Sequence, residues 1–481
     1  MHRSKSPDNA HPDHDHRHSW LPLAIVAIAQ FMVILDVTVV NVALPSIQDS
    51  LGLSAGQLQW VVTAYVLFTG GLMLFGGRLA DLGGRRRVFL MGLFVFTAAS
   101  LASGLAGSPT ALIVSRAAQG VGAAMLLPAA LSIVTTTYEG RQRATALAVW
   151  GALGSAGAAA GVLFGGVLTS ALGWESVFFI NVPVGLALLM VSRHLLEADT
   201  VKLPEAGQLD MAGAGALMAG LFSLVLAIEG TSSHGWTSLY SLGFASLAAF
   251  LLGHFAVIER RSERPLVPPS TWRNGPLVTS AAVMMVATGI LVGAFFLNTL
   301  YLQHVVGATA LETGLAFLPL TLVILAGAHV ASSAMGHLGS RWTIVAGLGA
   351  AAAGAWLLSG APADPGYAVD LLPGYLLLGF GLGMTFVAAS VAAMAEVTHD
   401  EAGLASGLMT TAHELGAALG VAVLGAVATA AGAADSLAGM VDGYGTGLTV
   451  AASVAVAVAV LAAVSVPSVR PAAGAAHGMH G

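Results

Sequence analysis

The chain has 481 residues, of which 56% are hydrophobic and 9% charged, with a mean hydropathy of +0.83 and a formal charge of −6. A soluble domain is about a quarter charged, so this composition excludes a water-soluble globular protein, and the complete lack of cysteine excludes disulfides and thiolate-bound metals. The apolar runs are long enough to cross ~30 Å of hydrocarbon as helices, and the short alternating segments of a membrane barrel are absent. The expectation is an all-α polytopic membrane protein.

In chain order, the polar tail 1–19 carries "HPDHDHRH", which either gathers imidazoles for a divalent metal or is a solvated cytoplasmic tail. The first apolar run is of full spanning length, unlike a cleaved signal peptide. Fourteen spans are predicted: 20–44, 56–76, 88–107, 109–137, 144–171, 176–196, 211–229, 236–257, 277–301, 313–335, 342–360, 370–395, 402–431 and 445–467. With that count, 17 of the 18 Lys and Arg residues fall on one side of the membrane. By the positive-inside rule this side is cytoplasmic and holds both termini. The charged segment 258–275 reads as a cytoplasmic linker. The resulting division is a tail 1–19, a six-helix bundle 20–200, an inserted helix pair 201–257, the linker 258–275, a second six-helix bundle 276–467 and a tail 468–481. Such a pair of repeated halves is a common transporter plan. "GGRLADLGGRRRVF" after the second span and "MGHLGSRWTIV" after the tenth occupy corresponding places in the two halves. Neither lysine follows a phosphate-binding glycine loop, which excludes an ATP-driven pump in this chain.

Several side chains stand out against the apolar background. Asp36 sits within "FMVILDVTVVNVALP", where a charge costs from ~3 to well over 10 kcal/mol unless it is partnered or functional. It lies about 12 Å from the outer end of its span, at 1.5 Å per residue. Arg116 is the one basic residue inside a span, at nearly the same depth in the fourth. Two readings stay open: Asp36 binds and releases a coupled proton with Arg116 setting its affinity, or the two form a static buried ion pair. Gln30 and Asn41 share one helix face and Asp36 points elsewhere, which makes Gln30 and Asn41 candidates for a substrate cavity. Tyr65, Gln119 and Asn298 are further candidates, each equally explained as a packing hydrogen-bonder.

The turn after the second span combines Gly77, Arg78, Asp81, Gly84, Arg85, Arg86 and Arg87. Its glycines permit a tight reversal. Asp81 is expected to favour the N-terminus of the next helix and to hold an arginine, making a cytoplasmic clasp that opens in one access state. Gly154, Gly157, Gly161, Gly165 and Gly166 in the fifth span serve close helix packing or a hinge. Glu414 falls near the middle of the thirteenth span, as a second proton site or an anionic partner for a cationic ligand.

The turn at 77–87 closely resembles the signature of the major facilitator superfamily. "LDVTVVNVALP" (35–45) resembles the first-helix signature of its drug:proton antiporters, "SRAAQGVGAAMLLPA" (115–129) the fourth-helix motif, and "GALGSAGAAAGVLFGG" (151–166) the fifth-helix antiporter motif. "GWESVFFINVPVG", "YLQHVVGATALETGLAFLPL" and "GLASGLMTTAHELGAALGVAVLG" resemble later segments, the last two those of the fourteen-helix branch. The resemblance implies a major facilitator fold with central first and fourth helices, and a role of the fifth-helix motif in conformational coupling. Three departures stand out: Val162 occupies a usual proline position, Trp174-Glu175-Ser176 stands for a usual Trp-Arg-Trp, and His413-Glu414 replaces a usual Arg-Gln.

The implied function is a secondary transporter of a bacterial cytoplasmic membrane that exports amphipathic, often cationic, drugs in exchange for protons. A dedicated exporter of one antibiotic or metabolite is the alternative, followed by a facilitator or importer. No nucleophile–base or metal-ligand constellation lies within the spans, so no enzyme and no cofactor is expected; the proton gradient is the driving force. The expected partners are the substrate, protons and the lipid bilayer, with no nucleic acid, and the chain is expected to work as a monomer.

Overall fold

A computed structural model describes residues 20–138, 140–196, 199, 210–262, 265–268, 270–397, 402–433 and 436–469. The histidine-rich tail, nearly all of the C-terminal tail and the stretch 200–209 lie outside them. Among the described residues every regular element is helical.

The elements are α1 (Leu21–Leu51), α2 (Ala55–Gly83), α3 (Arg85–Gly104), α4 (Pro109–Thr137), α5 (Gly140–Leu172), the single turn α6 (Ser176–Phe179), α7 (Asn181–Leu195), α8 (Met211–His234), α9 (Leu239–Arg261), α10 (Gly275–Leu300), α11 (Ala310–Ser359), α12 (Leu372–Ala393), α13 (Ala402–Ala428) and α14 (Leu437–Ser465). Their ends carry local stop and start signals. Gly52 takes the left-handed conformation (φ 65°) that closes α1. Ser54 and Gln57 form a reciprocal capping box on α2, and Thr309 and Glu312 do the same on α11. Ser108 caps α4 ahead of Pro109. The predicted sixth span divides into α6 and α7 because Pro183 has no N–H to offer the preceding turn.

Among the described residues, twelve helices are long and apolar enough to cross a membrane. This differs from the fourteen predicted spans in two places. The described apolar part of α5 is Ala159–Leu172, shorter than a span. The predicted spans 313–335 and 342–360 are joined in the 50-residue α11. A straight helix of that length would be about 75 Å long, yet α11 is interrupted at Gly339, whose backbone (φ 77°, ψ 166°) is not helical.

Helix packing sorts the molecule. In the earlier part α1 packs on α4, α5 and α7, α2 on α4, and α3 on α4 and α7. In the later part α10 packs on α12, α13 and α14, and α11 on α12 and α14. Glycine permits the closest approaches: a Cβ at Gly122 would strike the Phe96 backbone, and one at Gly420 the Gly289 backbone. The two parts meet along α2–α13 and α5–α11, with a smaller contact of α1 with α10. α8 lies over the first of these seams, touching both α2 and α13, while α9 packs on α8.

Candidate functional site

One end of the helices gathers the arginines and is called the basic face below. The turn at Gly84 (φ 98°) sits there, and a Cβ at that glycine would run into the Asp199 carboxylate. Asp199, just beyond α7, accepts from Arg86 N at 3.2 Å and from Arg87 N at 2.9 Å, so it caps the N-terminus of α3. Arg86 donates through Nη2 to the Arg193 carbonyl, and Arg78 through Nη2 to the Pro265 carbonyl at 3.1 Å. The carboxylate at this helix start is therefore Asp199 rather than Asp81. The helix α2 continues through Gly83, which places Asp81 in its last turn, exposed. Gly77 sits against Pro128 of α4, and Arg85 is partly buried on the first turn of α3.

The later copy of this turn is built alike. Gly339 turns the chain, Arg341 Nε donates to Val466 O at 2.6 Å, and Ser340 Oγ donates to Pro467 O at 2.9 Å. In each copy the turn is clasped by the segment that follows α7 or α14. Sequence reading passed over Asp199; an acid shortly after a long apolar span, opposite an arginine-rich turn, is the signal that marks it.

Deep in the earlier part lies a closed polar cluster. Arg116 Nη1 donates to Asp36 Oδ2 at 2.6 Å and to Gln119 Oε1 at 2.8 Å, while Arg116 Nε donates to the Val61 carbonyl at 3.0 Å. Gln119 Nε2 donates to Asp36 Oδ1 at 2.9 Å and to Ser100 Oγ at 2.7 Å. Asn181 Nδ2 donates to Asp36 Oδ1 at 2.7 Å. Asp36 is 0% and Arg116 1% exposed, so the pair is sealed from solvent and its charge is met entirely by these partners. The guanidinium lies over the Tyr65 ring at 4.3 Å from its centroid, with Phe178 at 5.8 Å. Helices α1, α2, α3, α4 and α7 are thus tied at one point. Asn181 and Ser100 were not among the sequence candidates. Asn181 is a lone amide within "FFINVPVG", and the cost argument that flags Asp36 applies to it in weaker form.

The cavity candidates are mostly committed to packing partners. Gln119 serves Asp36. In the amide orientation that satisfies both groups, Gln30 donates to Trp150 O at 3.2 Å and accepts from Trp150 Nε1 at 3.1 Å, linking α1 to α5. Asn41 Nδ2 donates to Val37 O at 2.8 Å, and its buried Oδ1 is without a partner. Asn298 donates to Ala294 O at 2.8 Å and accepts from Tyr375 Oη at 3.2 Å. Glu414 differs: it is partly exposed and has no hydrogen-bond or ion-pair partner among the described residues. The neighbouring His413 is spoken for, with Nδ1 2.9 Å from Thr288 Oγ1.

The glycines of α5 face two ways. A Cβ at Gly157, Gly161 or Gly165 would press on Phe31, on Thr38 and Leu35, or on Val39 of α1. At Gly166 it would meet Ala310 and Leu311 of α11, each at 2.8 Å. Val162 O is 2.6 Å from the Cβ position of Gly314, so the residue standing at the usual proline position is part of the α5–α11 seam. Gly154 lies in α5 one turn before Gly157.

Side-chain hydrogen bonds cross the seams at the end away from the basic face. There Gln303 Nε2 donates to Val42 O at 2.9 Å, and Gln59 Nε2 to Val421 O at 3.4 Å. Tight glycine contacts join α5 to the start of α11 at the same end.

Solved structures share this architecture. A bacterial homolog of the human lysosomal transporter Spinster, in an inward-facing and occupied conformation, superposes with a TM-score of 0.64 at 17% identity, covering 93% of this chain and 95% of that one. An auto-inhibited peptide transporter of the POT family superposes with 0.67 at 16% identity, covering 94% and 99%. At such identities the likeness concerns the fold alone. Among curated relatives, the cephamycin export protein CmcT of Amycolatopsis lactamdurans is 39% identical over 405 residues, 82% of each chain. The puromycin resistance protein pur8 of Streptomyces alboniger is 41% identical over 404 residues, 83% of this chain and 80% of that one. The multidrug resistance protein Stp of Mycobacterium tuberculosis is 33% identical over 400 residues, 83% and 74%. The sequence profile described as Major Facilitator Superfamily matches residues 26–421. With that match over most of its length, and with exporters and resistance proteins as relatives, the chain belongs to the major facilitator superfamily of membrane transporters.

Proposed function

We propose that this protein is a proton-coupled antiporter that exports amphipathic, often cationic, compounds across the bacterial cytoplasmic membrane by alternating access. In this reading α5 and both segments of α11 each span the membrane, which makes fourteen spans. Helices α1–α7 and α10–α14 are the two six-helix bundles, and α8–α9 the inserted pair. The basic face and both termini are cytoplasmic. The protein acts as a monomer and needs no cofactor.

The observation that carries the reading is the sealed Asp36–Arg116 cluster. Both carboxylate oxygens are already occupied by donors. A proton arriving there neutralises the charge that holds Arg116, and weakens the bonds from Gln119 and Asn181. Proton uptake therefore loosens the tie between α1, α4 and α7, which is what coupling requires. Gly157, Gly161, Gly165 and Gly166 provide smooth surfaces on which α5 can shift against α1 and α11. Gln30, Asn41, Tyr65, Gln119 and Asn298 shape the interior.

Two substrate ranges fit. Four relatives carry the name of a single antibiotic, cephamycin, puromycin, tetracenomycin or lincomycin, which favours a dedicated exporter. Stp is named a multidrug resistance protein, which favours a broad one. Proteoliposomes with an imposed pH gradient separate them, using tetraphenylphosphonium, puromycin and lincomycin as probes. Exchange of protons for several probes supports the broad range, and for one alone the dedicated range. The Asp36→Asn variant is expected to lose exchange. Proton exchange that survives in Asp36→Asn makes the cluster structural, and no proton movement with any probe removes the antiport reading.

A further inference from the structure

Glu414 is a carboxylate about twelve residues into α13, ~18 Å from the helix start at 1.5 Å per residue. It lies on the seam between the two parts of the molecule. A Cβ placed on Gly70 of α2 would be 2.8 Å from Glu414 Cβ and 3.0 Å from Leu415 N. Any motion of α2 against α13 changes the surroundings of this acid.

Among the described residues, the helices packed against it bring no cation to it. Helices α10 and α12 contain no charged residue along Gly275–Leu300 and Leu372–Ala393. In α14 the one charge is Asp442, in the second turn and near the end away from the basic face. In α8 the charged group is Glu229, which accepts from Trp60 Nε1 at 2.6 Å near that same end. On α13 itself, His413 is engaged by α10. The Thr288 hydroxyl donates to Met284 O at 3.0 Å, so the ring nitrogen facing it must be the N–H donor, and the imidazole is held on the α10 side. On α2 the facing group is Tyr65. Its hydroxyl is buried and its ring carries the Arg116 guanidinium of the locked cluster.

A carboxylate at this depth needs a proton or a cation as a partner. We propose that Glu414 is a second proton-carrying acid of the antiporter, in the later bundle, loading and unloading within a cycle that still requires release of the Asp36 cluster. The inference rests on the antiport reading and deepens it. The Glu414 carboxylate takes a proton from water on the face away from the arginines and gives it up to water on the basic face after the seams have shifted. Each acid carries one proton per cycle, so two protons enter for each molecule exported.

The test is the ratio of protons to tetraphenylphosphonium exchanged in proteoliposomes, for wild type, Glu414→Gln and Glu414→Asp. It is paired with counterflow of the same probe without a pH gradient, which needs binding and conformational exchange but no proton. The expected result is a wild-type ratio of two, a ratio of one in Glu414→Gln, two in Glu414→Asp, and counterflow retained in all three. An unchanged ratio in Glu414→Gln overturns the proposal. Loss of counterflow in Glu414→Gln, with wild-type elution and melting, also overturns it, because the residue would then hold the substrate. A wild type that moves the probe without protons removes the antiport reading itself, and is told apart by doing so before any variant is compared.

Discussion

Asp36 and Arg116 are stable in the interior only as a pair. Burying one charge alone costs far more than the pair gains over two neutral groups, and removing one partner of such a pair costs about 3–5 kcal/mol. Arg116→Ala would strand the Asp36 carboxylate with Gln119 and Asn181 as its remaining donors. We expect a fall in melting temperature of several degrees in detergent, together with loss of transport. Asp36→Asn/Arg116→Gln should recover most of the melting temperature and none of the coupling. Melting of the single and double variants checks this, and equal melting temperatures for Arg116→Ala and the double variant would refute it. Tyr65, Ser100 and Asn181 belong to the same unit, since the ring holds the guanidinium, Asn181 donates to the acid and Ser100 accepts from Gln119.

At the scale of elements, glycine decides which helices can move. Helix α5 is seated on α1 through Gly157, Gly161 and Gly165, and on α11 through Gly166. A side chain at Gly166 would wedge α5 from the start of α11 at the end away from the basic face. Gly166→Val is expected to favour opening at that end. A cysteine introduced at Ala310, which faces Gly166 across the seam, should then react several-fold faster with a membrane-impermeant maleimide added from outside. Unchanged reactivity would show that this glycine does not hold the seam. The turn at Gly84 depends on Asp199, which supplies two hydrogen bonds to the start of α3. Loss of a helix cap costs about 1 kcal/mol, so Asp199→Ala should lower the melting temperature slightly. It should also speed proteolysis at the basic face, measured by limited trypsin digestion at Arg85–Arg87; digestion at the wild-type rate would argue against the clasp.

At the scale of the molecule, the orientation in the membrane is open to direct measurement because the chain has no cysteine. Single cysteines at Ser6 and Ser468 should label only from the cytoplasmic side, and those at Ser238 and Thr309 only from outside. The reverse pattern would invert the topology. The proposed fourteen-span arrangement needs two crossings, of α5 and of one segment of α11, beyond the twelve counted by helix length and hydropathy among the described residues, so labelling at Gly339 from the cytoplasmic side tests whether α11 crosses twice.

Much of this architecture was readable along the chain, because the hydrocarbon imposes it residue by residue. A backbone that cannot hydrogen-bond to lipid must be helical, must be about 20 residues long and must end in polar turns. The positions of Asp36, Arg116 and Glu414 were equally plain, since a charge within an apolar run is conspicuous. What the chain alone left open was which of these charges are satisfied. Asn181, Ser100 and Asp199 lie far from their partners in sequence, and single polar residues of that kind are common and carry no periodic signal. Only the packing of α1, α3, α4 and α7 shows that Asp36 is fully enclosed, and only the α2–α13 seam shows that Glu414 is not. The difference arises because hydrogen bonding is a matter of distance in three dimensions, whereas hydropathy is a property of each residue.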